Sequence, residues 1–157
     1  SEEYDGTSWT EGNNLNTARE ELEATGITTS AVAFGGTAGS TFVSLTETWN
    51  GTSWSEVNNL NTVKRNAAGA GASSTASLCF GGLSDVPSPG TYLAQTETWN
   101  GTCWTETSDL GTARAGLGGA GTTTVAAAFG GYTPSLSNAT EEYNDPAPIV
   151  AKTVTVS

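Results

Sequence analysis

A nine-residue phrase occurs twice in this chain, and that repetition constrains the fold more than any other feature. Thr46-Glu47-Thr48-Trp49-Asn50-Gly51-Thr52-Ser53-Trp54 returns as Thr96-Glu97-Thr98-Trp99-Asn100-Gly101-Thr102-Cys103-Trp104. A diverged copy, Glu3-Tyr4-Asp5-Gly6-Thr7-Ser8-Trp9, opens the sequence, and Glu141-Glu142-Tyr143-Asn144 begins another. A second phrase recurs as Ala33-Phe34-Gly35-Gly36, Cys79-Phe80-Gly81-Gly82 and Ala128-Phe129-Gly130-Gly131. The period is about 45–50 residues, the length of one supersecondary unit that buries its apolar surface by stacking on its neighbours.

The local chemistry predicts four strands per period. Asn50-Gly51, Asn100-Gly101 and Asp5-Gly6 read as two-residue hairpin turns of type I′, in which both central residues take positive φ. Thr46–Trp49 and Ser53–Val57 are therefore expected to pair. A polar loop, Asn58–Thr62, follows. Then come a strand of small residues, Ala67–Ala72, and an apolar one, Ala76–Phe80. Gly81-Gly82 ends the latter and lets the chain turn sharply. From Leu83 to about Tyr92 the residues Pro87, Pro89 and Gly90 argue against regular structure.

These phrases resemble the kelch family, whose units carry a diglycine at a strand end, then an aromatic, then a tryptophan. Gly35-Gly36, Trp49, Trp54 and Gly81-Gly82, Trp99, Trp104 follow that order. Gly130-Gly131 and Tyr143 follow it as far as the aromatic. The family's basic residue before the first strand has counterparts in Arg19, Lys64 and Arg114. The resemblance implies an all-β fold of kelch-type β-propeller blades, about three four-stranded blades over residues 1–145. In style, the Thr-Glu-Thr-Trp-Asn-Gly-Thr repeats are similar to those of phage and environmental virion proteins.

Propellers usually close with four to eight blades. Three leave two exposed edges, and an unpaired edge invites a partner. Two chains are expected to close a six-bladed ring, the N-terminal hairpin of one completing the last blade of the other; a longer polypeptide or an open polymer are the alternatives. Residues 146–157 depart from the repeat. Asp145-Pro146 and Pro148 stand where a hairpin turn would be, and Ile149–Val156 reads as a strand that closes the fold, pairs between subunits, or starts another domain.

Composition narrows the function. The net charge is −11, and the basic residues are Arg19, Lys64, Arg65, Arg114 and Lys152. No basic surface exists to displace counterions from nucleic acid, and an anionic membrane surface would repel the chain. No apolar run is long enough to span a bilayer. With no histidine, the commonest general base and metal ligand is missing, and no Ser-His-Asp or Cys-His set can form. Without methionine, the chain is expected to be processed or excised from a longer product. The carboxylate pairs Glu2-Glu3, Glu20-Glu21 and Glu141-Glu142 point to opposite faces of a strand and do not converge on one atom. Neither a metal site nor a cofactor is expected. Cys79 and Cys103 fit no zinc spacing and read as two small thiols. Asn50, Asn100 and Asn138 head formal N-glycosylation acceptors, but turn chemistry accounts for the first two.

The aromatics Trp9, Trp49, Trp54, Trp99, Trp104 and Tyr143 are expected to pack blade against blade, with stacking of an exposed indole on a sugar ring as the alternative. Arg19, Lys64 and Arg114, and the repeated acids Glu3, Glu47, Glu97 and Glu142, are expected to make a structural salt bridge or a loop-anchoring hydrogen bond in each blade; a polar ring around a central channel that binds an anion or glycan is the alternative. The loops Gly36–Phe42, Leu83–Tyr92 and Tyr132–Asn138 follow the diglycines Gly35-Gly36, Gly81-Gly82 and Gly130-Gly131 and differ most between repeats. They make Phe42, Tyr92 and Tyr132 the candidate ligand contacts. The expected function is a non-enzymatic structural or adhesive module of a virion, such as a phage tail fibre or decoration protein, or of an extracellular assembly. It would associate with itself as a homodimer or higher assembly. A glycan-binding, lectin-like propeller comes second, and a kelch-fold enzyme a distant third.

Overall fold

The computed structural model describes residues 1–86 and 90–145. The expected strand Ile149–Val156 and Pro87, Pro89, Pro146 and Pro148 lie outside them. Every regular element among the described residues is a β-strand, and all pairing is antiparallel. Strands β1 (Glu2–Tyr4) and β2 (Trp9–Glu11) form a hairpin. The first large sheet orders β3 (Glu23–Ile27), β4 (Ser30–Phe34), β7 (Thr46–Trp49) and β8 (Trp54–Glu56) as a meander. The second repeats it with β9 (Ala68–Ser73), β10 (Ala76–Phe80), β13 (Thr96–Trp99) and β14 (Trp104–Glu106). The third has three described strands, β15 (Gly118–Gly121), β16 (Val125–Phe129) and β17 (Thr140–Asn144).

The sheets meet through small residues. β9 packs against β3 on one side and β15 on the other. A Cβ at Gly69 would lie 2.7 Å from Thr25 Cγ2, and one at Gly119 would lie 2.5 Å from the Gly69 carbonyl oxygen. Any side chain there would force the sheets apart. Hydroxyl pairs reinforce the first contact, Thr25 Oγ1 with Ser77 Oγ at 2.7 Å and Ser30 Oγ with Ser74 Oγ at 2.9 Å. The alternation of Ala and Gly in β9 is therefore a sheet-contact surface.

Two local expectations are corrected. The Asn-Gly connections are not two-residue type I′ turns: Trp49 pairs with Trp54, so four residues link the strands, and among them Gly51 alone has positive φ, +90°. Asn50 instead accepts the Thr52 and Ser53 N–H groups on Oδ1, both at 2.9 Å. Asn100 repeats this, and Asp5 does so with Thr7 and Ser8, which lowers the Asp5 carboxyl below its usual range. The side-chain acceptor, not left-handed backbone at both centres, selects Asn and Asp. The second correction is at Leu83–Tyr92, which holds a short ladder of β11 (Leu83–Ser84) with β12 (Thr91–Tyr92). It matches β5 (Thr37–Ala38) with β6 (Thr41–Phe42) in the first sheet's loop.

Candidate functional site

The side chain of each basic residue at the repeated position is fully buried and faces one acid. Arg19 lies 3.1 Å from Glu47, Lys64 3.1 Å from Glu97, and Arg114 3.1 Å from Glu141. The third acid is thus Glu141 and not Glu142, and the N-terminal counterpart is Glu2 and not Glu3. The hairpin register sets this, because the acid sits two residues before the aromatic that faces the outer strand. Arg19 also donates to the carbonyls of Gly35 at 2.9 Å and Leu45 at 2.7 Å. Burial lowers the Arg19 guanidinium and Glu47 opposes the shift. The Lys64 ammonium is close enough to Glu97 to pair but off the direction for a hydrogen bond. These cations are consumed internally and offer no surface to an external anion.

The diglycines bind one sheet to the next. Gly36 N–H donates to the Lys64 carbonyl and Gly82 N–H to that of Arg114, both at 2.9 Å. A Cβ at Gly35 would sit 2.5 Å from the Lys64 oxygen, and one at Gly81 2.7 Å from the Arg114 oxygen, so both positions exclude a side chain. The polar loops add a second tie. Asn16 N–H donates to Glu47 Oε2 and Asn61 N–H to Glu97 Oε2, both at 2.7 Å, and Gly111 N–H donates to Glu141 Oε2.

The repeated aromatics differ sharply in environment. Trp104 is buried against Phe34 of the first sheet, with ring centroids 5.0 Å apart and edge to face. Its Nε1–H donates to Thr46 Oγ1 at 3.0 Å, and Trp99 lies 5.4 Å away across the hairpin. Trp49 and Trp99 are also buried, each donating its indole N–H to a carbonyl, that of Thr28 and Ser74 respectively. Trp54 is half-buried and donates to Ser1 Oγ at 2.8 Å. Trp9, the equivalent outer-strand residue of the first hairpin, is 67% exposed. Tyr143 is half-buried, its hydroxyl 2.9 Å from Thr107 Oγ1. Phe129 is 45% exposed, whereas its counterparts Phe34 and Phe80 are buried. A cleft of about 160 Å³ beside β17 is lined by Phe80, Thr96, Leu110 and Tyr143 among others.

The three loop aromatics separate into two places. Tyr92 and Tyr132 come together, ring centroids 5.8 Å apart, although 40 residues separate them. Phe42 is covered by the Arg65 guanidinium at 4.4 Å, and Arg65 is itself paired with Glu21. That pairing lowers the Glu21 carboxyl. Among the described residues no group of His, Cys, Asp and Glu assembles to hold a metal ion. Both cysteines are free, Cys79 buried and Cys103 exposed.

No protein-family model matches the sequence, and no curated protein matches it.

Proposed function

We propose that this chain is a section of a kelch-type β-propeller that acts as a non-enzymatic interaction module, joining copies of itself through the edges of its sheets in a virion or extracellular assembly. The carrying observation is the unequal burial of equivalent residues. Trp9 and Phe129 are exposed, while Trp104, Phe34 and Phe80 are buried in the same roles. Large apolar groups left in water mark interaction surfaces, and an open sheet edge invites a partner strand. Meander sheets that pack through their first strands, tied by diglycines to the next basic residue, support the blade reading. Buried cations that each face one acid of the same chain support a scaffold over a catalyst.

Light scattering behind a sizing column tests the reading. A discrete dimer is expected, consistent with a six-bladed ring, and a larger polymer would also support self-association. A stable monomer would overturn it.

A second reading has its own observation. Tyr92 and Tyr132 form a partly exposed aromatic shelf on the loop face, a shape suited to a sugar ring. A glycan array with wild type and Tyr132→Ala decides: retained sugar that the variant loses supports a lectin, and no retained sugar removes it.

A further inference from the structure

We propose that the cleft beside β17 is the receptor for a second copy of this chain, whose β2 strand pairs with the open edge of β17 and whose Trp9 indole fills the cleft. This rests on the self-association reading and gives it an atomic register.

The molecule itself shows what such a cleft holds. Phe80, Thr96, Leu110 and Tyr143 line it, and their counterparts one repeat earlier are Phe34, Thr46, Leu60 and Trp99. Those four surround Trp104. The cleft is thus the Trp104 site without an indole, and among the described residues no strand pairs with the outer edge of β17. Trp9 occupies the Trp104 position of its own hairpin, facing Tyr4 across β1 as Trp104 faces Trp99. Seated in the cleft, its Nε1–H would donate to Thr96 Oγ1, as that of Trp104 does to Thr46.

Two further contacts fall into place at the same register. When β17 replaces the arriving copy's β1, that copy's Trp54 meets Phe129, as Trp104 meets Phe34. Trp54 now donates to Ser1 Oγ, three residues before Tyr4. Thr140 stands three residues before Tyr143 and supplies the same hydroxyl. The third contact is at the last diglycine. A Cβ at Gly130 would meet only the Ser137 oxygen at 3.7 Å, whereas Gly35 and Gly81 each receive a basic residue's carbonyl. The Arg19 carbonyl of the arriving copy fits that place. The displaced β1 is only three residues long, so little pairing is lost. Done reciprocally, two copies complete six four-stranded sheets.

The test compares association by sedimentation equilibrium for wild type, Trp9→Ala, Thr96→Val and a chain ending at Asp145. Trp9→Ala is expected to weaken association about tenfold or more, as for a buried aromatic anchor, and Thr96→Val a few-fold through loss of one hydrogen bond. Ending the chain at Asp145 is expected to change nothing. An associating wild type indifferent to Trp9→Ala would overturn the docking and leave self-association standing. A monomeric wild type would overturn both. Association that appears only in the shortened chain would show that residues 146–157 occupy the cleft, and would also overturn the docking. A trap covers the case of a misfolded Trp9 variant. In a Cys103→Ser background, Thr10→Cys with Glu142→Cys should give a disulfide-linked dimer, because this register sets those residues opposite each other. Exclusively monomeric product would count against the proposal.

Discussion

The core between the first and second sheets and the core between the second and third are built on one plan. Val32, Phe34, Leu60, Ala67, Cys79 and Trp99 in one correspond to Leu78, Phe80, Leu110, Leu117, Ala128 and Tyr143 in the other. The difference is Trp104, which closes the first core and has no described counterpart in the second. The consequences reach beyond one residue. Glu97, beneath the closed core, is 1% exposed at its side chain, and Glu141, beneath the open one, 28%. Trp99 is buried and Tyr143 half-buried. Both sheets carry the apolar inner strands, so the outer-strand indole decides whether a core is dry.

Removing that indole should erase the difference. Trp104→Ala is expected to cost about 3–5 kcal/mol, from lost burial plus a cavity beside Phe34. Tyr143→Ala, in a core already open to water, should cost about 2 kcal/mol. Urea unfolding followed by circular dichroism measures both. Equal costs would mean that the two cores are equally closed in solution.

The ion pairs sharpen the comparison. Glu97→Ala strands the Lys64 ammonium in the closed region and should cost about 3–5 kcal/mol. Glu141→Ala removes a partly exposed carboxylate from a buried guanidinium that keeps the Ala139 and Ala128 carbonyls as acceptors, and should cost less, about 2 kcal/mol. Lys64→Arg should stabilise by about 1 kcal/mol, since Arg19 in the same position reaches two carbonyls that Lys64 does not. Thermal unfolding of the three variants would show the order, and a destabilised Lys64→Arg would refute the shared geometry.

Much of this was legible in the sequence because it is local and periodic. The repeat gave β7 (Thr46–Trp49) and β10 (Ala76–Phe80) with their observed ends, and placed β9 within one residue. What failed depended on register or distance. In the run Glu141-Glu142 composition cannot say which acid faces Arg114; only the spacing to Tyr143 can. Asn-Gly has two turn chemistries, and the repeat phrase does not distinguish them. The ladder of Leu83–Ser84 with Thr91–Tyr92 is two residues long and hidden by flanking prolines. Tyr92 meeting Tyr132 depends on how successive sheets stack. The exposure of Trp9 could not be read at all, since it ends a diverged copy of the phrase that ends at Trp54 and Trp104, and the neighbouring sheet decides its burial.

A third test concerns pH. Glu23 holds the same ladder position on β3 as Ala68 on β9, opposite Phe34 and Phe80 respectively. Burial against β9 pushes its carboxyl up to about 7, and the Ala24 N–H only partly offsets this. Folding therefore retains a proton that the unfolded chain releases near 4.5. Stability from this group is complete below pH 4.5, falls as pH rises to about 7, and then levels. Glu23→Gln should flatten that decline and raise the unfolding midpoint at pH 8, while leaving it nearly unchanged at pH 4. An unaltered pH profile would place the carboxyl in water.

The smallest effect is chemical and reads the dryness of the closed core without perturbing it. Cys79 lies in that core, fully buried, and burial pushes its thiol up to about 12. Thiol reagents attack the thiolate, which is scarce at neutral pH for such a group and sterically shielded as well. Cys103 sits on an exposed hairpin turn, with its sulfur 3.7 Å from Asn100 Nδ2. Native protein treated with an aromatic disulfide reagent should therefore release one equivalent rapidly and the second only in denaturant. In Trp104→Ala the core that holds Cys79 loses its closing indole, and labelling of Cys79 should accelerate well beyond any change at Cys103. Rapid reaction of both thiols in the wild type would mean that the core opens on the labelling timescale, and the contrast between a closed and an open core would then describe an average and not a barrier.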